Sequence, residues 1–440
     1  MMEGMSEMSE VEKWLRALQG GGFDSSLARL YGKRPEVLEA QKKRYETLLK
    51  DFRSSFPGQR EVDLFSAPGR TEVGGNHTDH NSGRVLAAAV DLDIVAAAAV
   101  TESGVITVRS EGHPTVEVNV EQLSPVRDER YTSTALVRGV AARFKEMGHR
   151  IGGFDAVLAS RVPKGSGLSS SAAFEVLVGT VINHLYNGGR LDALQLAQIG
   201  QYSENVHFGK PCGLMDQTTS AVGGFVTIDF ADQAKPVVRK INFDFAASGY
   251  RLVITNTGGD HTSLNEDYAA LEHEMKDVAR ALGGQVLREF SGDKVLQNMK
   301  FLRTKVSDRA ILRALHFYAD DRRVADEVDA LEKKDFGGFL RLVIESGYSS
   351  WMLCQNCYIP GDSRRQEIAL ALAVSERILK GRGAWRVHGG GFAGTIQAFV
   401  PEDKLPLYLQ EMGGIFGPDA CYELQVRSEG AMKIARVRES

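Results

Sequence analysis

Over residues 10–55 apolar positions recur at three-and-four spacing among charges: Val11, Trp14, Leu15 and Leu18, then Val37, Leu38, Tyr45 and Leu48. That spacing predicts helix, ended by Phe56-Pro57-Gly58. The rhythm then shifts to period two. Val116-Glu-Val-Asn-Val120 alternates as a strand with one wet face does, and Ile94–Val100 reads as a more buried strand. Helical spacing returns over 172–186, through Ala173, Val176, Leu177 and Val181, and again from Leu191 to about Phe208. Strands are expected at Phe225–Phe230 and Leu252–Thr255, helices at Tyr268–Leu282 and over 308–346, and short late strands at Gly394–Val400 and Tyr422–Val426. The alternation lacks the regular βα beat of a parallel doubly wound sheet, which predicts an α+β protein in two lobes.

Composition narrows the function classes. A chain of 440 residues exceeds what one core serves, and 43% hydrophobic with 25% charged residues is the balance of a folded globular protein. Lys plus Arg total 53 against 57 Asp plus Glu, a formal charge of −4, which argues against binding nucleic acid by phosphate neutralisation. No run of eighteen apolar residues offers a membrane span. The Met-rich, acidic start lacks the basic and apolar regions of a signal peptide and is expected to be a frayed terminus. Only four cysteines occur, and Cys354-Gln-Asn-Cys357 has no second ligand pair to complete a zinc site. Reduced thiols and a cytoplasmic setting are expected.

Four segments concentrate polar groups and glycines. Pro163-Lys-Gly-Ser-Gly-Leu-Ser-Ser-Ser-Ala-Ala173 precedes an apolar helix. Its glycines allow close approach of an anion, which the helix N-terminus favours with unpaired N–H groups and partial positive charge. The same residues would also make a flexible linker ending in a serine cap. Neither the P-loop nor the dinucleotide fingerprint fits. In Ala67-Pro-Gly-Arg-Thr-Glu-Val-Gly-Gly-Asn-His-Thr-Asp-His-Asn81, glycine-punctuated turns gather Arg70, Asn76, His77 and Asp79, either a shell for sugar hydroxyls or a loop satisfying itself. Phe208-Gly-Lys-Pro-Cys-Gly-Leu-Met-Asp-Gln217 sets Asp216 in an apolar context where a carboxylate needs a partner or a task. His388-Gly-Gly-Gly-Phe-Ala-Gly394 permits close backbone approach to a ligand or to the first loop.

In this order the four segments resemble the galactokinases of the GHMP small-molecule kinase superfamily, over residues 60–435. The resemblance implies a two-lobed fold of mixed and antiparallel sheets with helices, the active site lying between the lobes. One lobe would span 1–205, with a tail at 420–440 returning to it, and the other 206–418. It implies phosphorylation of the anomeric hydroxyl of galactose by ATP with Mg²⁺. Asp216 would lie beside that hydroxyl as base or electrostatic guide, and Arg70 would pair with it. Asn76, His77, Asp79, Gly213 and Tyr268 would contact the sugar; Tyr268 otherwise reads as a helix-surface aromatic. Lys164, Gly165, Ser166, Gly167, Leu168, Ser169, Ser170, Ser171 and Ala172 would hold the nucleotide, and Ser171 with Glu204 the metal.

Two departures concern the sugar. Galactokinases usually carry Glu where this chain has Asn76, and Val-Asn where it has Thr71-Glu72. An amide in place of an anionic acceptor would cost about 1–2 kcal/mol at a sugar hydroxyl and would ease entry of a carboxylated sugar. A kinase for galacturonate, N-acetylgalactosamine or arabinose is therefore a rival reading. A non-catalytic sugar-and-ATP sensor is another, opposed by the intact serine run and Asp216. Monomer and homodimer are both open.

Overall fold

The computed structural model describes residues 9–58, 61–163, 165–259 and 264–435. The expected frayed start and the expected nucleotide contact Lys164 lie outside them. The helical stretch at the start forms three helices, α1 (Glu10–Gln19), α2 (Asp24–Tyr31) and α3 (Pro35–Ser55). Then come β1 (Asp63–Gly74), β2 (Arg84–Val100), β3 (Val105–Ser110), β4 (Val116–Asn119), α4 (Ser133–Glu146), β5 (Phe154–Ser160), α5 (Ser170–Asn187) and α6 (Ala193–Tyr202). The expected helix end near Phe208 is a π-helical turn over Ser203–Phe208. After α7 (Met215–Val222), β6 (Phe225–Asp229), β7 (Val237–Ile241), β8 (Tyr250–Asn256) and α8 (Asn265–Ala281), two helices, Asp308–Glu332 and Phe336–Ser349, fill the expected helical region. Four short strands close the chain: β9 (Ala384–His388), β10 (Thr395–Pro401), β11 (Cys421–Leu424) and β12 (Met432–Ile434).

The strands form two sheets. The larger runs β12-β1-β2-β5-β3-β4, with β6 on β2 and β7 on β6; among the described residues only β3 and β5 pair in parallel. The smaller runs β11-β8-β10-β9, antiparallel throughout. The division expected at residue 205 does not follow this split. Strands β6 and β7 join the larger sheet, and β12 returns to β1 while β11 stays in the smaller sheet. Periodicity reports how buried a strand is, not which neighbour it pairs with.

Both faces of the larger sheet are covered, so β1 and β2 are buried almost throughout, and β2 reads as a largely apolar run. Trp14, Phe23 and Leu49 of the first helices pack on Leu64 and Val95 from one side. On the other, α4 and α5 share a core with Phe65 and Ala96 that extends to Leu252, Phe399 and Leu424 of the smaller sheet. One hydrophobic core therefore spans both sheets. The polar segments singled out in the sequence meet where the sheets approach.

Candidate active site

Strand β1 aims the central arginine. Its pairing with β2 slips between Pro68 and Arg70, a bulge at the residue that lacks a backbone N–H, and bulges turn the following side chain. There the Arg70 amide donates to the Leu168 carbonyl at 3.0 Å. A Cβ on Gly69 would stand 2.9 Å from that same carbonyl oxygen, so only glycine lets strand and loop lie this close. Arg70 then grips Asp216 with two donors, Nε to Oδ1 at 2.6 Å and Nη2 to Oδ2 at 2.5 Å. Its Nη1 donates to the Gly167 carbonyl. Asp216 sits in the first turn of α7 and accepts a further hydrogen bond from Ser169 Oγ at 2.6 Å. Burial pushes this carboxyl up, but the Arg70 guanidinium, its hydrogen bonds and Ser169 outweigh burial and hold it below the usual carboxylate range.

The glycine-serine loop is shaped by left-handed backbone at Gly165, Gly167 and Ser169. Ser166 and Leu168 turn their side chains inward, and Ser166 Oγ donates to the Pro163 carbonyl at 2.8 Å. Ala172 is buried as well, so these three would meet a ligand through backbone alone. Ser169 caps α5 without a side-chain bond to it, which leaves the first amides of α5 available to an anion. A cavity of about 420 Å³ adjoins Ser170 and Ser171, lined by apolar side chains such as Ile94, Val108, Leu158 and Phe174 and by polar ones such as Ser110, His113 and Ser133.

A carboxylate cluster lies beside the loop. Ser171 Oγ donates to Glu204 Oε1 at 3.3 Å, and Gln217 Nε2 donates to both Glu204 Oε2 (2.9 Å) and Glu175 Oε2 (3.0 Å). Burial, reinforced by the charge of Glu204, pushes the Glu175 carboxyl well up. Glu175 and Gln217 were not singled out in the sequence as site residues. Each side chain retains a buried oxygen without a hydrogen-bond partner, polar capacity of the kind a cation uses.

The expected sugar contacts cluster around the signature turn. His77 has left-handed backbone, and its Nε2 donates to the Gly390 carbonyl at 3.0 Å. Asp79 lies against Gly213, where a Cβ would come within 3.2 Å of Oδ2. Burial pushes its carboxyl up, against the lowering effect of His77, and the charge of Asp216 adds to the rise. Tyr268 donates its hydroxyl to the Gly391 carbonyl at 2.7 Å and stands edge-on to Phe392. It belongs to the packing around the triple glycine rather than to a helix surface.

Asn76 departs from expectation. It is fully buried, and protein groups take its whole side chain: Nδ2 donates to Glu72 Oε1 (2.9 Å) and the Gly389 carbonyl (2.8 Å), while Oδ1 accepts from Asn356 Nδ2 (2.8 Å) and Ser350 Oγ (3.3 Å). It has no capacity left for a sugar. His388, just before the triple glycine, reaches the first loop: a Cβ on Gly167 would stand 3.0 Å from its ring, which bonds Thr71 and Thr395. Cys354 and Cys357 are free, buried thiols, each pushed up by burial, and Asn356 between them is the working residue of that segment.

Two family models match the chain: the GHMP kinases N terminal domain over residues 135–224, and the galactokinase galactose-binding signature over 50–100. A galactokinase of Streptomyces coelicolor is 34% identical over 355 residues, 79% of this chain and 87% of that protein. Among solved structures, Lactococcus lactis galactokinase complexed with galactose superposes with a TM-score of 0.74 at 23% identity, covering 89% of this chain and 100% of that one. The mevalonate kinase of Methanococcus jannaschii shares the fold at a TM-score of 0.59 and 16% identity, over 84% of this chain and 99% of its own.

Proposed function

This chain belongs to the galactokinase family of GHMP kinases, and from that premise we propose how it phosphorylates galactose with ATP. The carrying observation is the two-pronged Arg70–Asp216 pair fastened to the glycine-serine loop through Gly167 and Ser169. That linkage ties a carboxylate that can receive a hydroxyl proton to a backbone cradle for phosphate.

In the proposed reaction the C1 oxygen of the sugar attacks the γ-phosphorus and the bond to the β–γ bridging oxygen breaks. ADP leaves, and the hydroxyl proton moves towards Asp216. Asp216 is ionised at neutral pH, but two arginine donors hold its oxygens, so it acts by orienting the hydroxyl and drawing its proton rather than by strong basicity. Phosphoryl transfer depends chiefly on positioning and charge stabilisation, which Arg70 and the α5 amides supply. The cavity beside Ser170, with apolar walls and several hydroxyls, suits the nucleotide base.

Mg²⁺ fits the polar groups around Glu204. Ser171 Oγ and Glu204 would hold it, the nucleotide phosphates and water giving its remaining ligands. When bound it would neutralise phosphate charge. His77, Asp79, Gly213 and the ring of Tyr268 are the proposed sugar contacts. Asn76 stands behind them.

A rate assay by ADP release over galactose, galacturonate, N-acetylgalactosamine and arabinose tests the sugar. We expect galactose to show a kcat/KM at least about tenfold above the others, a gap of about 1.4 kcal/mol. The case for galacturonate rested on the lost anion at position 76. Glu72 keeps a carboxylate 2.9 Å from the Asn76 amide. Preference for any of the other three sugars would overturn the assignment.

A further inference from the structure

Asn76 draws together chain segments far apart in sequence. Its side chain reaches Glu72 on β1, Gly389 in the β9–β10 loop, and Ser350 and Asn356 beyond the helix Phe336–Ser349. Its backbone adds two bonds to the helix Asp308–Glu332: the amide donates to Asp320 Oδ2 at 2.9 Å, and the carbonyl accepts from His316 Nε2 at 2.9 Å. The pattern suits an amide and no carboxylate. Position 76 must donate two protons, to Glu72 and Gly389, and accept two, from Asn356 and Ser350, which is the full capacity of an asparagine side chain.

All three carbonyls of the triple glycine are held from this side. The Gly389 carbonyl accepts a hydrogen bond from Asn76, that of Gly390 from Asn356 and His77, and that of Gly391 from Tyr268. The loop lies close against these donors: a Cβ on Gly391 would fall 2.2 Å from the Asn356 carbonyl, and one on Gly390 2.4 Å from the Tyr268 ring. Glu72 completes the arrangement, since its Oε1 accepts from Asn76 and from Arg386 Nη2 at 3.1 Å, and Arg386 is fully buried on β9.

We infer that Asn76 and Glu72 form a matched donor–acceptor pair that positions the Gly389–Gly391 loop against His77 and Tyr268, so that Asn76 governs sugar phosphorylation without touching the sugar. The inference rests on the sugar-kinase reading and assigns position 76 a different task from the sugar contact implied by resemblance.

Asn76→Asp tests this, because it keeps the shape but turns an acceptor towards Glu72 and Gly389. It should lower kcat/KM about tenfold or more, the scale of leaving buried acceptors unpaired. The loss should be equal for galactose and for its 2-, 3-, 4- and 6-deoxy analogues. Adding Glu72→Gln restores a donor opposite position 76 but weakens the acceptor for Arg386 Nη2, so any recovery is partial. Backbone hydrogen exchange across residues 386–395 should speed up in the single variant and slow again in the double. A penalty that disappears for one deoxy sugar alone would show that Asn76 contacts that hydroxyl and would overturn the inference. So would backbone exchange across residues 386–395 left unchanged in the folded single variant. If the unaltered protein phosphorylated no sugar, the kinase reading would fail, and the exchange measurement would still decide whether the pair holds the loop.

Discussion

Two pressures oppose each other at Asp216. Burial raises its proton affinity, while Arg70 and Ser169 lower it further than burial raises it. The pair is thus an anion kept ready in a place where an unpaired carboxylate would protonate. Asp216→Asn keeps the size and removes the charge. Turnover should fall by about 10³-fold or more, because both the proton acceptor and the partner of Arg70 are lost. The KM for ATP should change by no more than about threefold, since uniform nucleotide binding lies elsewhere. Steady-state kinetics decide it, and a variant with near-normal kcat would contradict the role given to Asp216. Glu175, Gln217 and Asn356 escaped the sequence reading for a common reason. Each acts through a partner rather than through a recognisable motif, and the bonds of Asn356 to Asn76 and Gly390 span 280 and 34 residues.

At the scale of the element, β1 is a strand that does three jobs along its length. Phe65 and Ala67 sit in the core, the bulge after Pro68 turns Arg70 to the loop, and Thr71 and Glu72 meet the smaller sheet through Gln397 and Arg386. Gly69→Ala should therefore act on the nucleotide. Its Cβ would press on the Leu168 carbonyl at 2.9 Å and on Val162 at 3.2 Å, so loop and strand must separate. We expect a KM for ATP raised about tenfold, with a loss of stability of about 1–3 kcal/mol; titration calorimetry with a non-hydrolysable ATP analogue measures the first. Unchanged affinity would mean that the contact between β1 and the loop is incidental. The helices were legible because their apolar stripes face the core at regular spacing, as Val176 and Leu177 of α5 do. The motifs were legible because glycine runs and lone charges stand out against that pattern. Sheet membership of β6 and β7 was not, nor was the inward turn of Asn76, since both depend on pairing with distant residues.

For the molecule as a whole, two buried histidines contribute to its response to acid. His388 is pushed down to about 3 by burial and by the charges of Arg70 and Arg386, and His316 is pushed down by burial despite the nearby Asp320. In the unfolded chain both titrate near about 6.5. Below that pH the unfolded state binds protons that the folded state refuses, so their contribution to stability is complete above about 6.5 and falls as the pH drops towards the folded values. The slope approaches about 1.4 kcal/mol per pH unit for each histidine. Buried carboxyls that are pushed up, such as Glu175, act in the opposite sense, and do so equally with or without His388. Urea unfolding at pH 7 and pH 5 should therefore show His388→Gln losing less stability than the unaltered protein, by one histidine's share; an equal change in the two would contradict the burial of His388 as a neutral ring. The central claim joins two regions 146 residues apart in the chain, Arg70 and Asp216, to one reaction. A crystal structure with galactose and a non-hydrolysable ATP analogue tests it most directly. The account predicts the γ-phosphate on the amides of residues 167–172 and the C1 hydroxyl within hydrogen-bond reach of Asp216, with Asn76 still bound to Glu72 and Gly389; a sugar seated away from Asp216, or phosphates held outside that loop, would contradict it.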